Sequence, residues 1–183
     1  MGQHFDRIQP EHRSFIEAQH VFFVATAAAK GRVNLSPKGQ DCLRLLDDRK
    51  VVYLDLTGSG NETAAHIKAD GRLTLMFCAF DGPPKILRVY GRGKVLPRSG
   101  PEYRRVLADQ FKGVERIGAR QMILLEVERT QTSCGYAVPH LAFRGERRGL
   151  DNWAKEKGSA GLAAYRSEHN SVSIDGAPTG FSE

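Results

Sequence analysis

No apolar run in this sequence approaches the roughly 20 residues that a membrane-spanning helix requires. The longest, Val21 to Ala29, is interrupted by Thr26 and follows a polar amino-terminal stretch unlike a secretory leader. A soluble cytoplasmic protein with no membrane partner is the expectation. Cysteine is equally scarce. Cys42, Cys78 and Cys134 are odd in number and far apart, which excludes a disulfide framework and any C-x-x-C metal site. There is no His-Glu-x-x-His, no Ser/His/Asp pattern and no cluster of carboxylates, so neither zinc-dependent nor nucleophilic hydrolysis has a signature here.

What is present is ordinary for a folded domain. Hydrophobic residues make up 40% and charged residues 26% of 183, enough for one full core and a small appendage. The formal charge of +6 is not evenly spread, because the segment from Asp81 to Arg120 holds ten Lys/Arg against four acids and so carries the whole excess. Aromatic side chains are not interleaved with these cations as a base-stacking platform would need, which argues against nucleic acid and leaves an anionic small molecule or simple solubility as the use of that charge.

The most informative stretch is Val51 to Phe77. Val51, Val52, Tyr53, Leu54 and Leu56 form a β-rich run, and Leu73, Leu75 and Phe77 alternate with Thr74 and Met76 in a second. Between them Thr57-Gly58-Ser59-Gly60-Asn61-Glu62-Thr63 leads into a short helix over Ala64 to Ala69. Two glycines would permit positive φ and close approach of a ligand, while Ser59, Asn61 and Thr63 offer uncharged donors at a helix start. That outlines a phosphate seat. It also fits a plain capped helix, with Ser59 or Asn61 as N-cap and Glu62 in the first turn. It is neither common nucleotide loop: Thr63 stands where the dinucleotide fingerprint needs its third glycine, and no Gly-Lys-Ser/Thr follows.

Elsewhere, Pro10 to Gln19 reads as an amphipathic helix and Val21 to Ala28 as a buried strand. Lys30-Gly31 turns the chain into a second strand through Val33 and Leu35, and Pro37 is expected to end its pairing. Leu43 to Leu46 is a short apolar run. Ile86 to Leu96 is a long strand with glycine bends, Pro101 opens a helix, Met122 to Val127 is a further strand, and Ser133 to Pro139 the last. The pattern is mainly β, an α+β arrangement whose six or seven hairpin-linked strands suit an antiparallel barrel. A barrel domain over 1–146 and a helix-and-tail extension over 147–183 are expected. On composition, Asn170 to Glu183 reads as a disordered tail or an arm packed on a partner. His66, mid-helix, reads as a surface or packing residue.

Taken in order, Val24-Ala25-Thr26-Ala27, Gly31 to Gly39, Val52 to Thr63 and Arg88-Val89-Tyr90-Gly91-Arg92-Gly93 resemble the pyridoxamine 5′-phosphate oxidase-like family of flavin-binding split barrels. The likeness covers about Phe15 to Val127. It implies an antiparallel split β-barrel with short flanking helices, a homodimer, and FMN held at the subunit interface. It further implies cofactor contacts from Leu35, Ser36 and Lys38 on one strand and from Leu54, Asp55, Ser59, Asn61 and Thr63 on the next strand and loop. Where the oxidase proper has Arg-Lys, this chain has Gly60-Asn61, so Arg88 or Arg92 would supply the missing charge. The oxidase's carboxy-terminal Arg-x-His has no counterpart around His140. Tyr136, His140 and Trp153, which follow the barrel, are the substrate-contact expectations. The expected activity is a flavin-dependent oxidoreductase acting on a small substrate, with F420 as the alternative cofactor. A non-catalytic module holding flavin or haem is the second reading.

Overall fold

In a computed structural model that describes residues 2–181, the chain forms eight strands and four helices. They are β1 (His4–Phe5), α1 (Pro10–Glu17), β2 (Phe22–Thr26), β3 (Asn34–Lys38), β4 (Leu43–Leu45), β5 (Lys50–Leu56), α2 (Glu62–Ala69), β6 (Arg72–Cys78), β7 (Ile86–Pro97), α3 (Pro101–Gln110), β8 (Ala119–Ser133) and α4 (Gly149–His169). All strands join one antiparallel sheet in the order β3-β2-β6-β7-β8-β5-β4, with β1 added to β8. The ends β3 and β4 do not pair with each other, so the sheet curls without closing and the fold is a split barrel.

Strict alternation selects the inner face. Phe22, Val24 and Thr26 of β2 are buried, and their cross-strand neighbours Leu75 and Leu73 are buried with them. Phe77, Leu87 and Val89 continue the same layer, and the Phe22 ring lies 5.7 Å from those of both Tyr53 and Phe77. Truncating fully buried Leu75 to alanine is expected to cost about 2–5 kcal/mol, the usual range for a cavity in such a layer. β5 differs, since Val51 to Asp55 are all buried. Val51, Tyr53 and Asp55 look inward, while Val52 and Leu54 pair with Leu124 and Met122 on the other face, within the apolar cluster that takes in Tyr103 and Val106 of α3. At the β7–β8 bulge Gly91 is obligatory: a Cβ there would lie 1.9 Å from the Glu126 carbonyl oxygen.

Several elements depart from the sequence pattern. Pro37 does not end pairing but sits within β3, opposite Phe23, which an edge strand tolerates because proline's missing N–H can face away from the ladder. β8 runs fifteen residues rather than six, and 134–148 is an extended surface loop rather than a last strand. α4 is continuous to His169 apart from a kink at Gly158, where φ is 64°. Residues 170–181 after it form an ordered strap packed on its own barrel, not a disordered tail, while Ser182 and Glu183 lie outside the described residues. Thr179 donates to the Asn170 carbonyl at 2.7 Å, and Val172 bridges Pro178. Among the described residues no helix is long and apolar enough to cross a membrane.

Candidate cofactor site

The inner face of β3 presents Asn34, Ser36 and Lys38, because each pairs with an inward residue of β2. Across the split, β5 presents Tyr53 and Asp55. Lys38 Nζ lies 2.9 Å from Asp55 Oδ1 and 5.7 Å from the centre of the Tyr53 ring, so a side-chain bridge joins edge strand β3 to β5, the neighbour of the opposite edge. The second oxygen of Asp55 accepts from Arg120 Nε at 2.8 Å and from Gln121 Nε2 at 2.9 Å. Burial alone would oppose ionisation of Asp55, but the charges and hydrogen bonds of Arg120 and Lys38 outweigh it and hold the carboxyl far below its usual range. It is a permanent anion, 2% exposed, with its three donors fixed.

Asn61 is the N-cap residue of α2, yet its side chain caps nothing. Its oxygen accepts from Gln121 Nε2 at 2.8 Å and its amide donates to the Asn170 carbonyl at 3.3 Å. Asn170 in turn accepts from Arg120 Nη1 at 2.7 Å and donates to the Gly58 carbonyl at 3.0 Å. Thr63 accepts from Asn34 Nδ2, which also reaches Thr26 Oγ1, and Thr26 Oγ1 lies 3.0 Å from His66 Nδ1. His66 is thus a buried member of the site and not a surface residue. The Tyr53 hydroxyl is the exception: it approaches Thr63 without meeting hydrogen-bond geometry, and stays buried without a partner. Burial and then Asp55 push its phenol well above the normal range, and burial pushes the neighbouring Cys42 thiol up to about 12, with Lys38 opposing.

The strap closes one side. Asp175 accepts from the Arg32 backbone N–H at 2.7 Å and from its guanidinium, and Ile174 N–H donates to Glu62 at 3.0 Å. The Arg32 backbone hydrogen bond, more than its charge, holds the Asp175 carboxyl below its ordinary value. The loop rim remains open: Ser59 is exposed, and a Cβ on Gly58 would meet nothing within 4 Å. Neither Gly58 nor Gly60 takes a left-handed φ, so the loop does not need glycine for its backbone.

Of the residues expected to contact a cofactor, Ser36, Lys38, Asp55, Asn61 and Thr63 converge on this face. Leu54 points to the opposite face of β5, Leu35 is 62% exposed on the outer side of β3, and Arg88 lies on the outer face of β7, donating to Ser133 Oγ at 3.2 Å. Alternation along the strands separates them from Lys38 within one chain. Tyr136 is 84% exposed and His140 is exposed, both in the 134–148 loop, while Trp153 packs edge-on against Tyr165 within α4. These three do not meet the barrel site in a single chain. Arg120, Gln121 and Asn170 are site residues that the sequence reading passed over. The usable signal was that Arg120 and Gln121 lie in the buried run that opens β8 at Ala119, with Gln121 opposite an aspartate.

A split barrel with a charged bridge across its opening and a polar loop at a helix start defines a structural class. Residues 8–134 match the family model described as pyridoxamine 5′-phosphate oxidase, and the chain belongs to that family. A pyridoxamine 5′-phosphate oxidase family protein of Aspergillus flavus, ustO, is 35% identical over 191 residues, spanning 95% of this chain and 76% of that protein. Two solved structures share the fold. HupZ of Group A Streptococcus is 24% identical with a TM-score of 0.54, covering 67% of this chain and 91% of its own. A pyridoxamine 5′-phosphate oxidase-like protein of Lactobacillus delbrueckii is 19% identical with a TM-score of 0.54, covering 69% and 94%.

Proposed function

We propose that the chain is an FMN-binding flavoprotein oxidoreductase acting on a small organic substrate as a homodimer. The observation that carries this reading is the Lys38 ammonium anchored on Asp55 across the split, 5.7 Å from the ring of Tyr53, whose hydroxyl is unpartnered among the described residues, in a barrel whose Gly58–Ser59 rim is open. Those groups suit a phosphorylated ring: a cation for the phosphate, uncharged donors from Ser59 and Thr63, and a buried phenol without a bond of its own. A second copy set against the outer sheet face could bring Arg88 and exposed Leu35 to a neighbour's site, which one chain alone does not do.

A bound flavin supplies the electron transfer itself. The protein groups at the seat orient and exclude water. Asp55 stays ionised, and Tyr53 and Cys42 stay protonated at neutral pH, so none of the three exchanges a proton there. That same fixity supports the second reading, a module that holds flavin or haem without turnover.

The test is the visible spectrum of freshly purified protein, with mass analysis of whatever denaturation releases, which also separates FMN from F420. Bleaching by a reductant, recovery in air and steady product formation mark the enzyme; tight binding without turnover marks the module. Lys38→Ala with Asn61→Ala should weaken FMN binding by about ten-fold or more in protein that keeps its native circular dichroism. Colourless, monomeric protein that ignores added flavin would end the first reading, and failure to bind added haem as well would end the second.

A further inference from the structure

A second concavity, about 520 Å³, lies between the β3–β4 turn, the end of α3 and the start of α4. It has the volume of a small-ligand site, and none of its lining residues belongs to the seat described above. We propose that it binds a small organic anion, with a phosphate or carboxylate head on a flat apolar body.

The charge is the first argument. Five cations line the cleft against three carboxylates. Two of those carboxylates are already engaged. Arg44 holds Asp41 through two bonds, at 2.7 and 3.0 Å, and Arg116 holds Asp151 at 2.5 Å. These pairs are the walls. Gln40 locks them together, accepting from Arg116 through its carbonyl and amide oxygens and donating to the Arg147 carbonyl at 2.6 Å. Among the described residues the side chains of Lys112, Arg147 and Arg148 make no hydrogen bond or ion pair, and only Glu146 among the lining acids is left to offset them. Three cations of like sign held around one hollow favour an anion between them.

The second argument is shape. Phe111 lies under the Arg44 guanidinium at 4.6 Å, and Val114, 67% exposed, continues the apolar floor. That floor suits a planar body better than a hydrated inorganic ion.

The third is the backbone. Gln40, Asp41 and Lys112, with φ of 62°, 54° and 56°, are the non-glycine residues in the left-handed region among those described, and all three line this cleft. Lys112 follows the C-cap Phe111 of α3, in the place where helices usually put glycine, with Gly113 N–H closing back on the Leu107 carbonyl at 2.9 Å. A lysine is kept where glycine fits best, and its ammonium is one of the three unpaired cations. Backbone held in such conformations collects at ligand sites.

Phenyl phosphate is the probe, titrated by calorimetry into the protein as purified, with or without a chromophore. The wild type should bind phenyl phosphate about ten-fold more tightly than inorganic phosphate, which lacks the flat body. Arg147→Gln with Arg148→Gln should weaken phenyl phosphate binding by about ten-fold or more, whereas Arg104→Gln with Arg105→Gln, removing the same charge from the exposed side of α3, should change it less than about two-fold. Lys112→Gln gives an independent reading should the first double variant fold poorly. Equal losses in the two double variants, equal affinity for the two phosphates, or no measurable binding to the wild type would each overturn the proposal. None of these outcomes depends on flavin, so the cleft and the cofactor reading stand or fall separately.

Discussion

The barrel seat and the basic cleft are separated in sequence by a single residue, Gly39, yet they use charge in opposite ways. At the seat each ionic group has a partner: Lys38 and Arg120 share Asp55, leaving one positive charge toward a cofactor, Gln121 bridges Asp55 to Asn61, and Asn170 ties the strap to both. In the cleft two pairs form the walls and three cations are left over. Matched charge inside a barrel stabilises a shape, because a buried ion left alone is costly; unmatched charge at a surface costs little and remains available for binding. The seat therefore reads as architecture that a cofactor would adjoin, and the cleft as a place that waits for an anion.

The sharpest way to break that contrast is Asp55→Ala. It strips Lys38 and Arg120 of their shared anion while Arg120 stays buried, and should cost about 3–5 kcal/mol in urea unfolding. A loss below about 1 kcal/mol would mean the seat is no more interlocked than a surface pair.

Acid gives a second reading of the same network. The native Asp55 carboxyl titrates below its unfolded value of about 3.9, so its contribution is complete above that pH and fades as pH falls through the native value. The urea midpoint of the wild type should drop as pH falls below about 4, and Asp55→Asn should remove part of that slope. Identical slopes in the two proteins would assign the acid sensitivity to other carboxylates.

Thiol chemistry separates inside from outside more gently. Cys134 is exposed, whereas Cys42 is buried and its thiol is held up at about 12 by burial. A disulfide reagent at neutral pH should label Cys134 promptly and Cys42 only as the protein unfolds. Early labelling of Cys42 would show that the base of the seat opens in the native state.

How much of this could be read beforehand depends on how local each signal is. The β5–loop–α2 stretch was legible because a β-rich run, a glycine-bearing loop and a helix start lie within twenty residues of one another. The family likeness pointed to both Lys38 and Asp55 as cofactor contacts but not to their pairing, since the two meet only when the sheet curls. Arg120 and Gln121 look like turn residues ahead of the apolar run at Met122; they are strand residues because Gln121 lies opposite Asp55 in the β5–β8 ladder. The strap was misread for a related reason. Its Gly, Ser and Asn content resembles a mobile tail, while Asn170 owes its order to bonds with Gly58, Asn61 and Arg120. The cleft left no local trace, being assembled from three segments centred on Gln40, Phe111 and Arg147.

The smallest expected effect sharpens the comparison most. If the cleft's free cations support no fold, then Arg147→Gln with Arg148→Gln should leave the melting temperature within about 2 °C of wild type, or raise it slightly as like charges are thinned. Arg116→Gln, one residue set away on the same wall, should lower it measurably, because it breaks the bonds to Gln40 and Asp151 that hold α4 against the β3–β4 turn. The first change removes two cations from the hollow and the second only one, so loss of charge alone would make the first effect the larger. A large drop in the Arg147/Arg148 variant would place those two arginines among the walls, and the cleft would then be matched architecture like the seat.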